Sequence, residues 1–164
     1  MLAFATDIGT CGVAWSADGL TGVWLPPAPR PDHAAVPPAP VRDAVAAITA
    51  LLSGERRDLT AVVLDETVVE DPFRRAVYAA TRAVGPGATA TYGEIARAIG
   101  SPGAARAVGA ALGANPWPIV VPCHRILAAD GALTGFSSPG GIATKRRMLE
   151  IERAPGFTQQ ALFG

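Results

Sequence analysis

The pattern of apolar and polar positions divides this chain into two blocks. Residues 1–25 alternate short apolar runs with glycine and aspartate turn signals, which predicts a small antiparallel meander of strands. Seven prolines then fall within residues 26–40 and predict an exposed loop without regular structure. Apolar residues at helical spacing predict a helix over 41–52, and residues 59–64 are predicted to add a strand to the sheet.

The second block begins at Asp71-Pro72, because aspartate caps helix N-termini and proline suits the first helical turn. This first helix should end before the glycines of 85–87. Thr91 followed by Glu94 is a capping box and predicts a second helix. A short third helix over 104–112, reached through a glycine turn, completes the outline of a helix-turn-helix.

These patterns predict an α+β protein in two parts. Residues 1–70 would form a small N-terminal domain of antiparallel sheet plus helix. Residues 71–164 would form a mainly helical C-terminal domain that carries the helix-turn-helix. Half of the 164 residues are apolar, which is enough for a real core.

Composition and charge exclude several classes of protein. No apolar stretch approaches the roughly 20 residues of a membrane span, and no secretion signal is visible, so we expect a cytoplasmic protein without a membrane partner. The two distant cysteines offer neither a disulfide framework nor the usual spacing of a zinc site, so no metal is expected. From Asp71 onward ten basic residues stand against five acidic ones, which weakly favours a polyanionic partner for this half.

The tetrapeptide Pro122-Cys123-His124-Arg125 is the main candidate for chemistry. It follows the apolar run 118–121, which we interpret as a buried strand. A thiol attacks as thiolate, and a neighbouring histidine or arginine can lower its pKa. A free cysteine is also often a packing residue, so these four residues alone favour neither alternative. Arg125 could pair with a carboxylate to brace the site or could be a surface charge.

The predicted helix over 104–112 is unusual because it has almost no side chains. Arg106 is its only charged residue, so it cannot read base edges in a major groove, which takes several long polar side chains. A bare helix can instead approach a narrow minor groove with its one arginine free to insert. Small residues also suit tight packing between helices, and this second interpretation is the better one for the helix taken alone.

Four features together resemble one family, the O6-alkylguanine-DNA alkyltransferases (methylated-DNA–protein-cysteine methyltransferases). They are Tyr92, the run Ala104-Ala105-Arg106-Ala107-Val108-Gly109, Asn115-Pro116, and Pro122-Cys123-His124-Arg125. The resemblance runs from about Phe73 to Glu152, whereas the first 70 residues are similar to the family only in layout. The family implies single-turnover repair of O6-alkylguanine, chiefly O6-methylguanine, in duplex DNA.

The resemblance also implies a role for individual residues. Cys123 would accept the alkyl group, His124 would act on it through a water, Glu152 would hold the imidazole, and Asn115 would tie the turn to the nucleophile segment. The DNA-binding residues would be Tyr92 with the following residues of the bare helix: Ala104, Ala105, Arg106, Ala107, Gly109 and Ala110. The base pocket, which receives the flipped guanine, would be formed by Tyr92, Pro122, Ile126, Phe136 and Ser137.

The loop after the nucleophile departs from the family pattern. Residues 135–141 carry Phe136 where the family commonly has tyrosine, and two residues are extra. This loop would line the pocket, so its change bears on which adducts fit. Tyr78 also stands where tryptophan is more usual, which we interpret as a packing change. The family implies no cofactor, and we expect a monomer that binds double-stranded DNA through the minor groove.

Three other functions remain to be weighed. An alkyltransferase-like protein would bind the damage without transfer, but such proteins lack the cysteine that Cys123 supplies. A sequence-specific regulator would need a helix richer in side chains. A cysteine hydrolase unrelated to DNA would leave Arg106 and the bare helix unexplained, and it would turn over its substrate.

Overall fold

A computed structural model describes residues 1–31, 36–134 and 140–157. The strands are β1 (Leu2–Thr6), β2 (Gly9–Ser16), β3 (Gly19–Trp24), β4 (Ala90–Thr91) and β5 (Ile126–Leu127). The α-helices are α1 (Ala39–Leu52), α2 (Pro72–Arg82), α3 (Tyr92–Ala98), α4 (Ala105–Gly113) and α5 (Gly141–Ile151). Glu66–Val68 and Cys123–Arg125 form single turns of 3-10 helix. The predicted α+β class, with a sheet first and helices after it, is confirmed.

The N-terminal sheet is the predicted antiparallel meander, with strand order β1-β2-β3. Its alternating pattern buries one face, on which Val13 and Val23 join Ile48 and Leu51 of α1 in the core. The second helix of the chain, α2, begins as predicted, because the Asp71 carboxylate accepts a hydrogen bond from the Phe73 N–H at 2.9 Å. For the sheet and for the start of α2, the alternating pattern and the N-cap residue were therefore sufficient to predict the secondary structure.

Two predictions about the middle of the chain are wrong. Helix α1 begins at Ala39, inside the segment predicted to lack regular structure, because a proline in the first helical turn loses no hydrogen bond. The predicted strand over 59–64 does not form, and only Leu64 makes an isolated bridge, to Leu20. The carbonyls of this segment have another partner: the Arg82 guanidinium donates hydrogen bonds to three of them, those of Leu59, Thr60 and Val62.

The helix-turn-helix consists of α3 and α4. Its capping box has both expected bonds, from the Glu94 N–H to the Thr91 hydroxyl at 3.1 Å and from the Thr91 N–H to the Glu94 carboxylate at 3.2 Å. Helix α4 begins and ends one residue later than predicted. The parallel pair β4–β5 places the start of α3 beside the residues that follow the nucleophile segment.

The core is continuous between the two halves of the chain. One cluster of buried apolar side chains includes Val13 of the sheet, Ile48 of α1, Val77 of α2 and Val121 before the cysteine. The division into domains at residues 70 and 71 stays a prediction. No helix within the described ranges is long and apolar enough to span a membrane.

Candidate active site

The segment before the nucleophile is a tight turn and not the strand that its apolar residues predicted. The Val121 N–H donates to the Trp117 carbonyl at 2.8 Å, and Ile119 adopts a left-handed backbone conformation with φ of 77°. The prolines at 116, 118 and 122 remove the N–H donors that a strand within a sheet requires. The turn delivers Cys123 at the start of the 3-10 turn, where its N–H donates to the Val121 carbonyl at 2.7 Å.

The two residues after Cys123 have buried side chains that share one partner, Glu152, and we call these four residues the nucleophile cluster: Cys123, His124, Arg125 and Glu152. His124 is fully buried, and its Nε2 lies 2.8 Å from the Oε1 of Glu152 at the end of α5. A carboxylate can only accept, so Nε2 carries the hydrogen and Nδ1 of the neutral ring keeps its lone pair. Nδ1 is buried and has no hydrogen-bond partner among the residues that the structure describes. It is therefore available as a base.

Arg125 braces the site and is not a surface charge. Its Nε and Nη2 donate to the two oxygens of Glu152 at 2.9 Å and 2.8 Å, and its Nη1 donates to the Val84 carbonyl at 2.7 Å. Such a bidentate pair fixes both the position and the plane of the carboxylate. Glu152 in turn orients His124, which is the nucleophile–base–orienter arrangement of a catalytic triad.

Burial and neighbouring charges set the protonation states of the nucleophile cluster. Burial raises the pKa of Cys123, and the Asn115 side chain and the Lys145 charge oppose this. Burial lowers the pKa of His124, against the opposing charge of Glu152, so the imidazole is neutral near pH 7. Burial alone would raise the pKa of Glu152, but His124 and Arg125 outweigh it and lower that pKa to about 2. The resting site thus pairs a thiol with a neutral base.

Lys145 is a buried residue of the site that the sequence analysis missed. Its side chain is almost inaccessible, and Nζ donates to the carbonyls of Ile126 at 2.6 Å and Thr134 at 3.2 Å. Burial lowers its pKa to about 8. One signal was present in the sequence, since Lys145 precedes Glu152 by two helical turns and so shares its face of α5.

Asn115 lies where the resemblance placed it, in the turn before the nucleophile. Its Nδ2 donates to the Val121 carbonyl at 2.9 Å, and its Oδ1 accepts from the Trp117 N–H at 2.9 Å. Because Val121 also accepts from the Cys123 N–H, the amide of Asn115 and the nucleophile share one anchoring carbonyl. The side chain therefore ties the end of α4 to the nucleophile segment.

A groove of about 710 Å³ lies between α3, α4 and the segment after β5. Tyr92 and Arg106 line it, and the Tyr92 hydroxyl donates to the Thr134 carbonyl at 3.1 Å. We define the open face of α4 as the six residues of this segment that are predicted to contact DNA. The exposed ones are Arg106, Ala107 and Ala110, and the half-buried ones are Ala104, Ala105 and Gly109.

The tight-packing interpretation accounts only for the opposite side of α4. There Val108, Ala111 and Leu112 are buried in contact with neighbouring helices. Packing does not explain why the exposed side lacks long side chains other than Arg106. On this side the helix backbone consequently faces the groove with little side-chain cover.

Of the residues predicted to form the base pocket, only some are described, and not all of these line the groove. Tyr92 lines the groove, whereas Pro122 and Ile126 are buried, and Ala128 forms part of the groove wall instead. Phe136 and Ser137 lie outside the described residues. Within the described ranges, no three histidine, cysteine or acidic side chains come together in a way that could hold a metal ion.

Comparisons with known proteins point to one family. A family profile described as the DNA-binding domain of 6-O-methylguanine DNA methyltransferase matches residues 72–154. The methylated-DNA–protein-cysteine methyltransferase of Mycobacterium bovis is 41% identical over 135 residues, which cover 82% of this chain and 79% of that protein. The crystal structure of the Mycobacterium tuberculosis O6-methylguanine methyltransferase is similar at a TM-score of 0.76 and 39% identity, over 92% of this chain and 90% of that one. A structure of the same protein in complex with DNA has a TM-score of 0.75, with 37% identity and 94% of each chain covered.

Proposed function

The chain belongs to the methylated-DNA–protein-cysteine methyltransferase family, and we propose that it removes the alkyl group of O6-alkylguanine, chiefly O6-methylguanine, from duplex DNA in one turnover. Its general activity is O6-methylguanine-DNA methyltransferase repair. The observation that carries the proposal is the nucleophile cluster, in which the residue that follows Cys123 is a buried, neutral base held in place by Glu152 and Arg125. No cofactor is required, because the thiol is both nucleophile and final acceptor.

The reaction we propose is one direct displacement. The Cys123 Sγ forms a bond to the alkyl carbon while the bond from that carbon to O6 breaks, and the electron pair passes to the purine. The thiol proton moves through one water to Nδ1 of His124, whose imidazolium the Glu152 carboxylate stabilises. The Tyr92 hydroxyl donates a proton to the leaving purine. The Tyr92 oxygen then regains a proton from the His124 imidazolium through solvent, so the net change is one alkyl group on sulfur and the former thiol proton on guanine.

The groove supports a minor-groove mode of DNA binding with base flipping. The open face of α4 has no long side chain except Arg106, so the helix backbone can approach a narrow groove closely. Arg106 is exposed and would fill the gap that a flipped nucleotide leaves in the stack. Tyr92, on the groove wall, would crowd the flipped nucleotide and favour its extrusion.

A single turnover follows from the chemistry of the product. A thioether resists hydrolysis at neutral pH because a thiolate is a poor leaving group from an unactivated alkyl carbon, so the alkyl group would stay on Cys123. We propose that the protein acts as a monomer in the cytoplasm, where one copy repairs one lesion and is then spent.

The decisive experiment is intact-mass measurement after incubation with a short duplex that carries one O6-methylguanine. We expect a gain of one methyl group, mapped by peptide analysis to Cys123 and saturating at one per protein. An undamaged duplex of the same sequence is the control. If the mass stays unchanged while the damaged duplex is bound, the protein recognises damage without transfer and the proposal is wrong.

A further inference from the structure

The turn that carries the nucleophile contains a costly backbone conformation. Ile119 has φ of 77°, and a β-branched side chain is disfavoured in this left-handed region. The turn is nonetheless closed on both sides: Val121 N–H donates to the Trp117 carbonyl, and Trp117 N–H donates to Asn115. A strained turn keeps one geometry only if surrounding structure holds it, so its anchor in the fold matters for the nucleophile.

Trp117 supplies this anchor through its indole ring. The side chain is buried, and Nε1 donates to the Leu20 carbonyl of β3 at 2.7 Å. Beside it, the Val23 N–H of the same strand donates to the Pro116 carbonyl at 2.9 Å. Two hydrogen bonds thus fasten the start of the turn to the edge of the N-terminal sheet.

A short path connects Trp117 to the thiol. The Trp117 carbonyl holds the Val121 N–H, and the Val121 carbonyl accepts from both Cys123 N–H at 2.7 Å and Asn115 Nδ2 at 2.9 Å. A displacement of the Trp117 backbone would therefore reach Cys123 after two hydrogen bonds. It would also move Asn115, whose side chain opposes the effect of burial on the pKa of Cys123.

We propose that Trp117 is a positioning residue for Cys123, because its indole hydrogen bond to strand β3 fixes the strained turn that delivers the nucleophile. The assignment rests on the proposed function of Cys123 as alkyl acceptor. Trp117 is not among the residues that line the groove, and its effect passes through Val121 and Asn115. The N-terminal sheet thereby takes part in setting the geometry of the reaction.

The test compares wild type with Trp117→Phe, which keeps an aromatic ring in the core and deletes the N–H. Three quantities are measured: the single-turnover rate of methyl transfer at saturating damaged duplex, the affinity for that duplex, and the pH dependence of Cys123 alkylation by iodoacetamide without DNA. We expect transfer to slow about tenfold, since small misplacements of reacting groups are costly. The iodoacetamide profile should shift to higher pH, and the affinity should stay within about twofold of wild type.

A second variant separates the hydrogen bond from packing. Site-specific replacement of Trp117 by benzothienylalanine preserves the ring volume and substitutes sulfur for the N–H, so the core stays filled. Trp24→Phe is the matched control, because the Trp24 ring packs against Gly22 within the sheet. Wild-type transfer and an unshifted iodoacetamide profile in both Trp117 variants would overturn the proposal. Peptide mapping separates Cys123 from Cys11, and the iodoacetamide profile tests the positioning role even if the protein transfers no methyl group.

Discussion

The nucleophile cluster and the open face of α4 lie on neighbouring elements but are built in opposite ways. In the cluster, the side chains of His124, Arg125 and Glu152 are at most 5% exposed, and four hydrogen bonds involve them. On the open face, one exposed arginine stands among alanines and a glycine. The nucleophile cluster is held together by buried polar contacts, whereas the open face is distinguished by its lack of long side chains.

This contrast separates two kinds of effect. A change in the cluster should alter the chemical step and the stability of the fold, because it breaks buried polar contacts. A change at the exposed residues of the open face, Arg106, Ala107 and Ala110, should alter DNA binding and base flipping, because these side chains are outside the core.

Cys123→Ala should abolish methyl transfer and leave the affinity for damaged duplex within about threefold of wild type. The thiol is the proposed acceptor, and it is buried and is not among the residues that line the groove. Mass spectrometry measures transfer, and fluorescence anisotropy with a labelled duplex measures binding. Loss of binding as well, in a variant with an unchanged circular dichroism spectrum, would break the separation between the two regions.

Glu152→Gln should slow transfer about 100-fold, because in the proposed mechanism the carboxylate stabilises the His124 imidazolium and a neutral amide would not. It also leaves the Arg125 charge without its partner, which should cost about 3 kcal/mol of stability at pH 7. Single-turnover kinetics and urea unfolding measure the two effects. Glu150→Gln is the matched control, because it removes the same charge two residues earlier on α5. Equal effects of the two substitutions would mean that charge and not position matters.

The same carboxylate makes a prediction about acid stability. The pKa of Glu152 is about 2 in the folded protein, below its value of about 4.3 in an unfolded chain. The unfolded state therefore binds the proton first, and stability is lost as pH falls from about 4.3 to about 2. Urea unfolding across this range should show a steeper loss for wild type than for Glu152→Gln. Parallel curves would show that Glu152 titrates normally in the fold.

Arg106→Ala should slow transfer at saturating duplex about tenfold, because the gap left by a flipped base would stay unfilled. Loss of one phosphate-like contact would change the salt dependence of binding by only about one unit of slope. Arg97→Ala is the matched control, since Arg97 lines the same groove from α3. It should weaken binding at low salt without slowing transfer at saturation. An unchanged rate in Arg106→Ala would remove this arginine from the mechanism.

These contrasts also show what the sequence could and could not predict. The helix starts at Asp71 and Thr91 were predictable because a cap and its partner lie within three residues of each other. The association of Glu152 with His124 came from resemblance to a family, since 28 residues separate them and no local pattern joins them.

The two wrong strand predictions share one physical cause, which is a side chain or proline that redirects the backbone of an apolar segment. Arg82 binds the carbonyls of the predicted strand over 59–64, and prolines turn the predicted strand over 118–121 into a tight turn. Both segments are apolar enough for strands, so periodicity alone could not exclude them. Lys145 was missed because its burial depends on hydrogen bonds to two carbonyls that are distant in sequence, and no local pattern indicates them.

The smallest expected effect concerns Tyr78, which contacts both the turn before the nucleophile and the buried side of α4. Its ring meets Trp117 edge-to-face, with centroids 6.0 Å apart, and its hydroxyl donates to the Ala111 carbonyl of α4 at 2.6 Å. Tyr78→Phe keeps the aromatic contact and deletes this bond, so stability should fall by about 1 kcal/mol. Because the lost bond anchors α4, affinity for damaged duplex should fall two- to threefold.

The discriminating measurement on Tyr78→Phe is the reaction of Cys123 with iodoacetamide in the absence of DNA. Since the ring still supports Trp117, the nucleophile turn should stay in place and the pH profile should match that of wild type. A shifted profile together with unchanged DNA affinity would reverse the assignment, because the hydroxyl would then serve the nucleophile and not α4. Tyr78→Phe thus tests whether the hydroxyl supports α4 without affecting the nucleophile turn, although both belong to one continuous core.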